Sequence, residues 1–276
     1  MIRINQTGFK SFVFYVSSFV LLTLFIYLGI PFFFDYKNNQ SGLEKKIFEN
    51  FDLNLSLTSK VKYNIFPSPR LNLKNVEILS FSESFKNIGS VKKIILKIPF
   101  KRLVSLKKID FDSIELIDAV INIETSEINN FKNYLNDKAR EKPIQLTKSK
   151  INLLDKTKLL FNIDIEKLRI SGKGLFNKLD LRGRIFNTKI KINYQNKNFN
   201  KNSEKNVEIW LPEIGLNSKL SINPDKKNNE TIYGKVNIFF PGNQIYLDYI
   251  LRNKIFNISN SRLTNNYFKG QLFGDL

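Results

Sequence analysis

The chain reads as a mainly β protein, with one N-terminal transmembrane helix followed by an elongated antiparallel β-sheet groove and a few short helices. Three observations predict the helix and the antiparallel strands, and an open groove is one of the architectures that such strands allow. A charge-free apolar run of membrane length stands near the N-terminus, period-two alternation recurs through most of the remainder, and Asn-, Lys-, Gly- and Pro-rich connectors break it at fairly even spacing.

From Ser11 to Phe34 there is no charged residue, and Phe12 to Phe34 spans 23 residues. At about 1.5 Å per residue that is roughly 34 Å, against a hydrocarbon core of about 30 Å. A core helix rarely stays apolar on every face for so long. A cleaved signal peptide has a hydrophobic region of about 7–15 residues and a small-residue cleavage site, whereas this run ends in Phe32, Phe33, Phe34 and Asp35. Residues 11–34 therefore read as an uncleaved signal anchor. Arg3 and Lys10, with no acidic neighbour, put residues 1–10 in the cytoplasm as a tail and residues 35–276 beyond the membrane.

After the anchor, Leu43, Ile47 and Phe51 recur every four residues, which predicts a short amphipathic helix. The period then changes. Leu53, Leu55, Leu57, Val61, Tyr63 and Ile65 share one parity, broken only by Ser59, with polar residues on the other; this is strand alternation with one wet face. Pro67 and Pro69 end it, because neither can donate to a ladder. Strands resume at Leu71 and Leu73, at Ile94, Leu96, Ile98 and Phe100, at Ile109 and Phe111, and at Ile117, Ala119, Ile121 and Ile123. Further runs are Leu179, Leu181 and Ile185; Ile190, Ile192 and Tyr194; and Ile245, Leu247, Tyr249 and Leu251. Between them, Ser126–Lys138 carries helical spacing at Ile128, Phe131 and Leu135. Ser82–Gly89, Glu141–Ser149, Gln195–Asn206 and Asn223–Asn229 read as loops, with 195–206 marking a sub-boundary in the body. On pattern alone a sandwich, a closed barrel and an open groove all fit.

Composition removes much chemistry. With no His and no Cys, imidazole bases, Ser-His-Asp triads, thiol nucleophiles, disulfides and Cys-ligated metals are excluded. No cofactor, no metal site and no enzyme is expected. Lys+Arg 44 against Asp+Glu 25 gives +19, which alone suggests nucleic acid. The basic residues are dispersed, however, the anchor exports them, and the Lys-, Asn-, Ile- and Phe-rich composition is also what AT-rich coding produces. No nucleic-acid partner is expected. Ser171-Gly172-Lys173-Gly174 lacks the upstream Gly and the Ser or Thr of a phosphate loop. Asp110, Asp112, Glu115 and Asp118 could pair for acid–base work or a hard metal, but the strand parity does not bring them together. Asn-x-Ser/Thr sequons at Asn54, Asn229 and Asn257 would matter only in a eukaryotic secretory pathway. Trp210 and the many Phe residues read as packing.

A sheet with one apolar face buries it against another layer. Where none exists, a lipid acyl chain gains about 0.8 kcal/mol for each CH2 removed from water. The candidate lining is Leu53, Leu55, Leu57, Val61, Tyr63, Ile65, Ile245, Leu247, Tyr249 and Leu251. From alternation alone, the closed core of a sandwich is the commoner fate of such residues.

Leu57–Ile78, LTSKVKYNIFPSPRLNLKNVEI, resembles the N-terminal signature of the AsmA family at Tyr63, Pro67, Pro69, Leu71, Leu73, Asn75 and Val76. The resemblance continues through Val91–Glu124 and returns at Ile255–Leu276. It implies a Gram-negative inner-membrane protein with one N-terminal helix and a periplasmic β body, similar to the bridges that hold phospholipid acyl chains in an apolar trough. It further implies the inner membrane, phospholipids and other envelope proteins as partners, and a role in lipid transport or outer-membrane assembly. A non-enzymatic assembly scaffold with a closed core is the alternative. Family members usually run longer, so the resemblance fits a piece, a short relative, or one link that needs a partner.

Overall fold

The structure, a computed structural model, describes residues 6–80, 86–103, 110–128, 130, 142–173, 176–199, 202–224, 231–252, 255–267, 269–271 and 274–275. Arg3 and Ile109 lie outside these residues.

Helix α1 (Gln6–Gly29) continues into a 3-10 turn, Ile30–Phe33, opened by Pro31. Ser11–Phe33 is long and apolar enough to cross a membrane; residues 11–26 are exposed along its length, while Tyr27, Leu28 and Pro31 at its end pack against the body. Helix α2 (Gln40–Phe51) buries Leu43, Ile47 and Phe51 and ends at Asp52 in the left-handed conformation, whose N–H bonds the Phe48 carbonyl at 2.7 Å.

The rest is one sheet. Strands β1 (Leu55–Leu57) and β2 (Lys62–Asn64) both pair with β3 (Arg70–Leu79). The stretch Leu53–Ile65 is thus two short strands rather than one, because both must reach the same edge of β3. Each later strand then lies beside its predecessor: β4 (Asn87–Lys97), β5 (Ser113–Glu124), β6 (Ile144–Asp155), β7 (Lys158–Lys173), β8 (Phe176–Ile185), β9 (Thr188–Phe199) and β10 (Asn202–Leu211). They are followed in the same order by β11 (Leu216–Pro224), β12 (Thr231–Phe240), β13 (Asn243–Arg252), β14 (Ile255–Asn265) and β15 (Lys269–Gly270), while β16 (Gly274–Asp275) pairs with β14. The path runs from β1 to β15 without closing, and no second sheet is present among the described residues. The open sheet is therefore the one realised of the three architectures that the pattern allowed.

The pairing is antiparallel with one exception, β5 with β6, which is parallel and requires the crossover of residues 125–143. That crossover opens with a 3-10 turn at Thr125–Glu127; most of the helix expected over 126–138 lies outside the described residues. Several connectors are strand instead. Asn87–Gly89 belong to β4, Ile144–Ser149 to β6, and Asn223 and Pro224 to β11. The Asn- and Lys-rich stretch 195–206 forms the paired ends of β9 and β10, so pairing runs through the sub-boundary. Phe100 opens a 3-10 turn, and Phe111 is a fully buried loop residue rather than a strand residue.

A fault line crosses the sheet. Asn75, Asp118 and Lys148 have positive φ, and pairing lapses there in β3, β5 and β6 without a change of register, while β7 shifts register against β8 at Glu166. At each point the inward residues stand three apart instead of two, which keeps one face apolar: Leu73 to Val76, Leu116 to Ala119, Leu146 to Ser149 and Ile165 to Leu168. This moves Ile117 to the opposite face from Ala119, against their expected common parity; Leu116 is the buried neighbour.

Candidate functional site

Cross-strand register joins the apolar face into rows. One row runs Leu73, Ile94, Leu116, Leu146, Leu168, Leu181, Ile192, Ile209, Ser218, Ile238, Ile245 and Leu263, unbroken from β3 to β14 and apolar at every position but Ser218. Beside it Val207, Leu220, Val236 and Leu247 continue a second row.

Cover decides what the rows can do. Leu73 and Ile94 are 1% and 0% exposed, Leu168 and Leu181 are 6% and 8%, and from Ile192 onward the row is half-buried. The sealed end is explained by α2, whose Leu43, Ile47 and Phe51 join Tyr36, Leu103 and Phe111 in one core cluster with the inward residues of β1–β8. Phe51 and Phe111 stack at 6.5 Å. A polar clamp fastens the cover: the Lys142 ammonium donates to Asn50 of α2 and to the Asp110 carboxylate, which Arg102 also approaches at 3.5 Å. Partial burial of Asp110 pushes its pKa up, but the Lys142 bond, the Phe111 N–H and the nearby charges outweigh this and hold it below the usual carboxylate range.

Among the described residues no element covers the face from β9 to β14. Six strand spacings of about 4.8 Å separate β8 from β14, so the uncovered trough is about 29 Å long, against about 15 Å for one leaflet's hydrocarbon depth. Its floor has one irregularity. Gly234 lies opposite Tyr249, and a Cβ there would stand 2.0 Å from the Tyr249 ring. The ring therefore lies flat over the glycine, stacked on Phe256 at 4.8 Å, and is only 9% exposed; burial raises its pKa.

The ten candidate lining residues share this face but not one environment. Leu53, Leu55, Leu57 and Tyr63 are sealed in the core, Val61 and Ile65 pack at its margin, and Ile245, Leu247 and Leu251 lie half-buried in the uncovered trough beside Tyr249. Ile192, Ile209, Leu220 and Val236 complete the floor and were not among the candidates. Their alternation is legible, but Ser218 and Gly234 interrupt it.

The signature residues have structural tasks. Asn75 takes the left-handed position, Leu71, Leu73 and Val76 enter the core, and Pro67, after a cis peptide from Phe66, and Pro69 flank the β2–β3 turn. The Tyr63 hydroxyl donates to the Leu28 carbonyl at 3.0 Å while its ring meets Phe32 edge-on at 4.9 Å. The Tyr27 hydroxyl donates to the Phe100 carbonyl at 2.6 Å. These contacts join the end of α1 to the first strands.

Chemistry-bearing groups do not converge. Asp110 is held in the clamp, Glu115 accepts from Gln145 at 3.1 Å and Thr147 at 3.0 Å, Asp112 is exposed, and Asp118 lies 4.0 Å from Lys92. No group of three potential metal ligands exists among the described residues. Ser171 and Gly172 are ordinary β7 residues paired with Lys178 and Asn177. Trp210 is 40% exposed, under the Lys191 ammonium at 4.1 Å, on the face opposite the trough rather than in a core. No family model, no curated protein and no solved structure matches the chain.

Proposed function

We propose that the protein is a membrane-anchored envelope protein of the AsmA type that binds phospholipid acyl chains in the trough and supports lipid transport or outer-membrane assembly, without enzymatic activity. In this reading α1 is a single-pass anchor in the cell inner membrane, with a cytoplasmic N-terminus and a periplasmic body. Its partners are phospholipids and other envelope proteins.

One observation carries the proposal: the apolar rows run out from beneath α2 and stay uncovered over β9–β14. Apolar area left facing water is costly, at about 25 cal/mol per Å2, and an acyl chain is a linear apolar filler that matches a linear apolar floor. The resemblance over Leu57–Ile78 supports the same assignment. The sealed core under α2 favours the second reading, a scaffold acting through protein contacts.

Photo-crosslinkers at Leu247 and Leu55 separate the two. Leu247 is half-buried in the trough and should capture phospholipid in intact cells, whereas Leu55, 4% exposed beneath α2, should capture none. Protein adducts without lipid at Leu247 would favour the scaffold and remove the trough.

A further inference from the structure

The hairpins β6–β7, β8–β9, β10–β11, β12–β13 and β14–β15 all turn at the same strand ends, along one edge of the sheet. Their tips touch. A Cβ on Gly215 would meet the Pro241 ring at 2.9 Å, and one on Gly242 would meet Asn266 at 3.3 Å.

This edge displays large apolar side chains instead of the usual small polar turn residues. Leu160 is 47% exposed, Phe186 75%, Ile214 56% and Tyr267 95%. Phe186 is the most telling. It and Asn187 both have positive φ, the pattern of a type I′ turn, whose first position favours Asn, Asp or Gly. A bulky aromatic there is disfavoured by the backbone and by water alike. Its one ring contact, with Phe161 at 6.3 Å between centroids, still leaves three quarters of it in water. Lys156, Lys158, Lys189 and Lys269 flank the tips, and none makes an ion pair among the described residues; Asp155 and Glu213 are the only acids beside them.

Exposed aromatic and aliphatic tips ringed by lysines suit a surface that is anionic outside and apolar a few ångströms within. The anchor joins the sheet at the opposite strand ends, through Tyr63 to Leu28 and Tyr27 to Phe100. We propose that this rim is a docking edge that seats on the anionic phospholipid surface of a bilayer other than the one holding α1. The inference rests on α1 being an anchor and is independent of what fills the trough.

Trp210, the only tryptophan in the chain, stands two residues before the β10–β11 tip and reports on the edge directly. The full chain, with α1 embedded in phosphatidylcholine nanodiscs, is mixed with phosphatidylglycerol-rich vesicles carrying brominated acyl chains. Trp210 emission should be quenched, and less so at high salt or with phosphatidylcholine vesicles. The triple variant Phe186→Asn, Ile214→Asn and Tyr267→Ser should bind the vesicles about 100-fold more weakly. Asn suits the turn and offsets the loss of the Phe161 ring contact, so the urea midpoint of Phe186→Asn should change little, which separates lost docking from lost folding. Four outcomes would overturn the inference: no quenching of the wild type, equal quenching of the triple variant, quenching only when the brominated lipid is in the nanodisc itself, or self-association through the rim in its place. Lipid capture at Leu247 should be the same in the triple variant, so failure of the rim and failure of the trough remain distinguishable.

Discussion

Gly234→Ala should unseat Tyr249. The added methyl would lie 2.0 Å from the ring, so either the ring or the strand must move, and the ring is the softer of the two. Standing up, Tyr249 would give up its stack on Phe256, about 0.5–1.5 kcal/mol, and part of the roughly 1.5–3 kcal/mol that burying a large side chain contributes. Against this, Gly→Ala within a strand recovers about 0.5–1 kcal/mol of backbone entropy. The balance is a net loss of about 1–3 kcal/mol, read from urea unfolding of the full chain in detergent. The double variant with Tyr249→Ala should be non-additive, since removing the ring removes the clash, with a coupling of about 1 kcal/mol or more. Titration gives a second readout. Burial holds the Tyr249 pKa above its ordinary value, so its contribution is present below about pH 10 and lost as pH rises through the folded pKa. In the Ala variant that alkaline loss should shrink. Additive energies with an unchanged alkaline limb would refute the flat-ring account.

Ile47→Ala, at a site with 0% exposure where α2 meets the sheet, should cost about 2–5 kcal/mol in urea unfolding and make α2 the first segment cut in limited proteolysis. Asp110→Asn should weaken the clamp only where the carboxylate is charged. Because its folded pKa is depressed, the wild type's advantage in thermal midpoint should be full above the unfolded value of about 3.9 and vanish as pH falls through the folded value; an advantage that persists at pH 2 would show that packing, not charge, is lost.

The sequence made the large divisions legible because they rest on strong periodicities: a charge-free apolar helix, a four-residue stripe at Leu43, Ile47 and Phe51, and two-residue alternation elsewhere. Strand faces were misassigned where a residue with positive φ resets parity. At Asp118 the spacing from Leu116 to Ala119 is three, so strict alternation carries Ile117 inward when it points out. Polar stretches such as 195–206 looked like loops because their side chains avoid water no more than loop residues do; pairing with a neighbour, not burial, makes them strand. The trough had a subtler obstacle. Leu55 and Leu247 have the same local pattern, and only the placement of α2 on the core built from β1–β8 makes one a core residue and the other part of the trough. That distinction is a property of the third dimension and has no signature in either strand.

The position of α2 also bears on how a lipid could reach the trough. α2 follows α1 in sequence and seals the face at the strands joined to α1, where Leu71, Ile94 and Leu96 have no exposure left. If α1 is the anchor of the proposed function, a lipid chain leaving that bilayer at α1 has no open floor to enter until about β8 or β9, some five strand spacings, or roughly 24 Å, further along. Under the proposed function, loading must then occur either over the uncovered strands directly or by displacement of α2. The second route is opposed by the burial of three large side chains, each worth about 1.5–3 kcal/mol, and by the Lys142 clamp. Direct loading over β9–β14 requires neither loss, so weakening the α2 seal should destabilise the fold without raising lipid capture at Leu247.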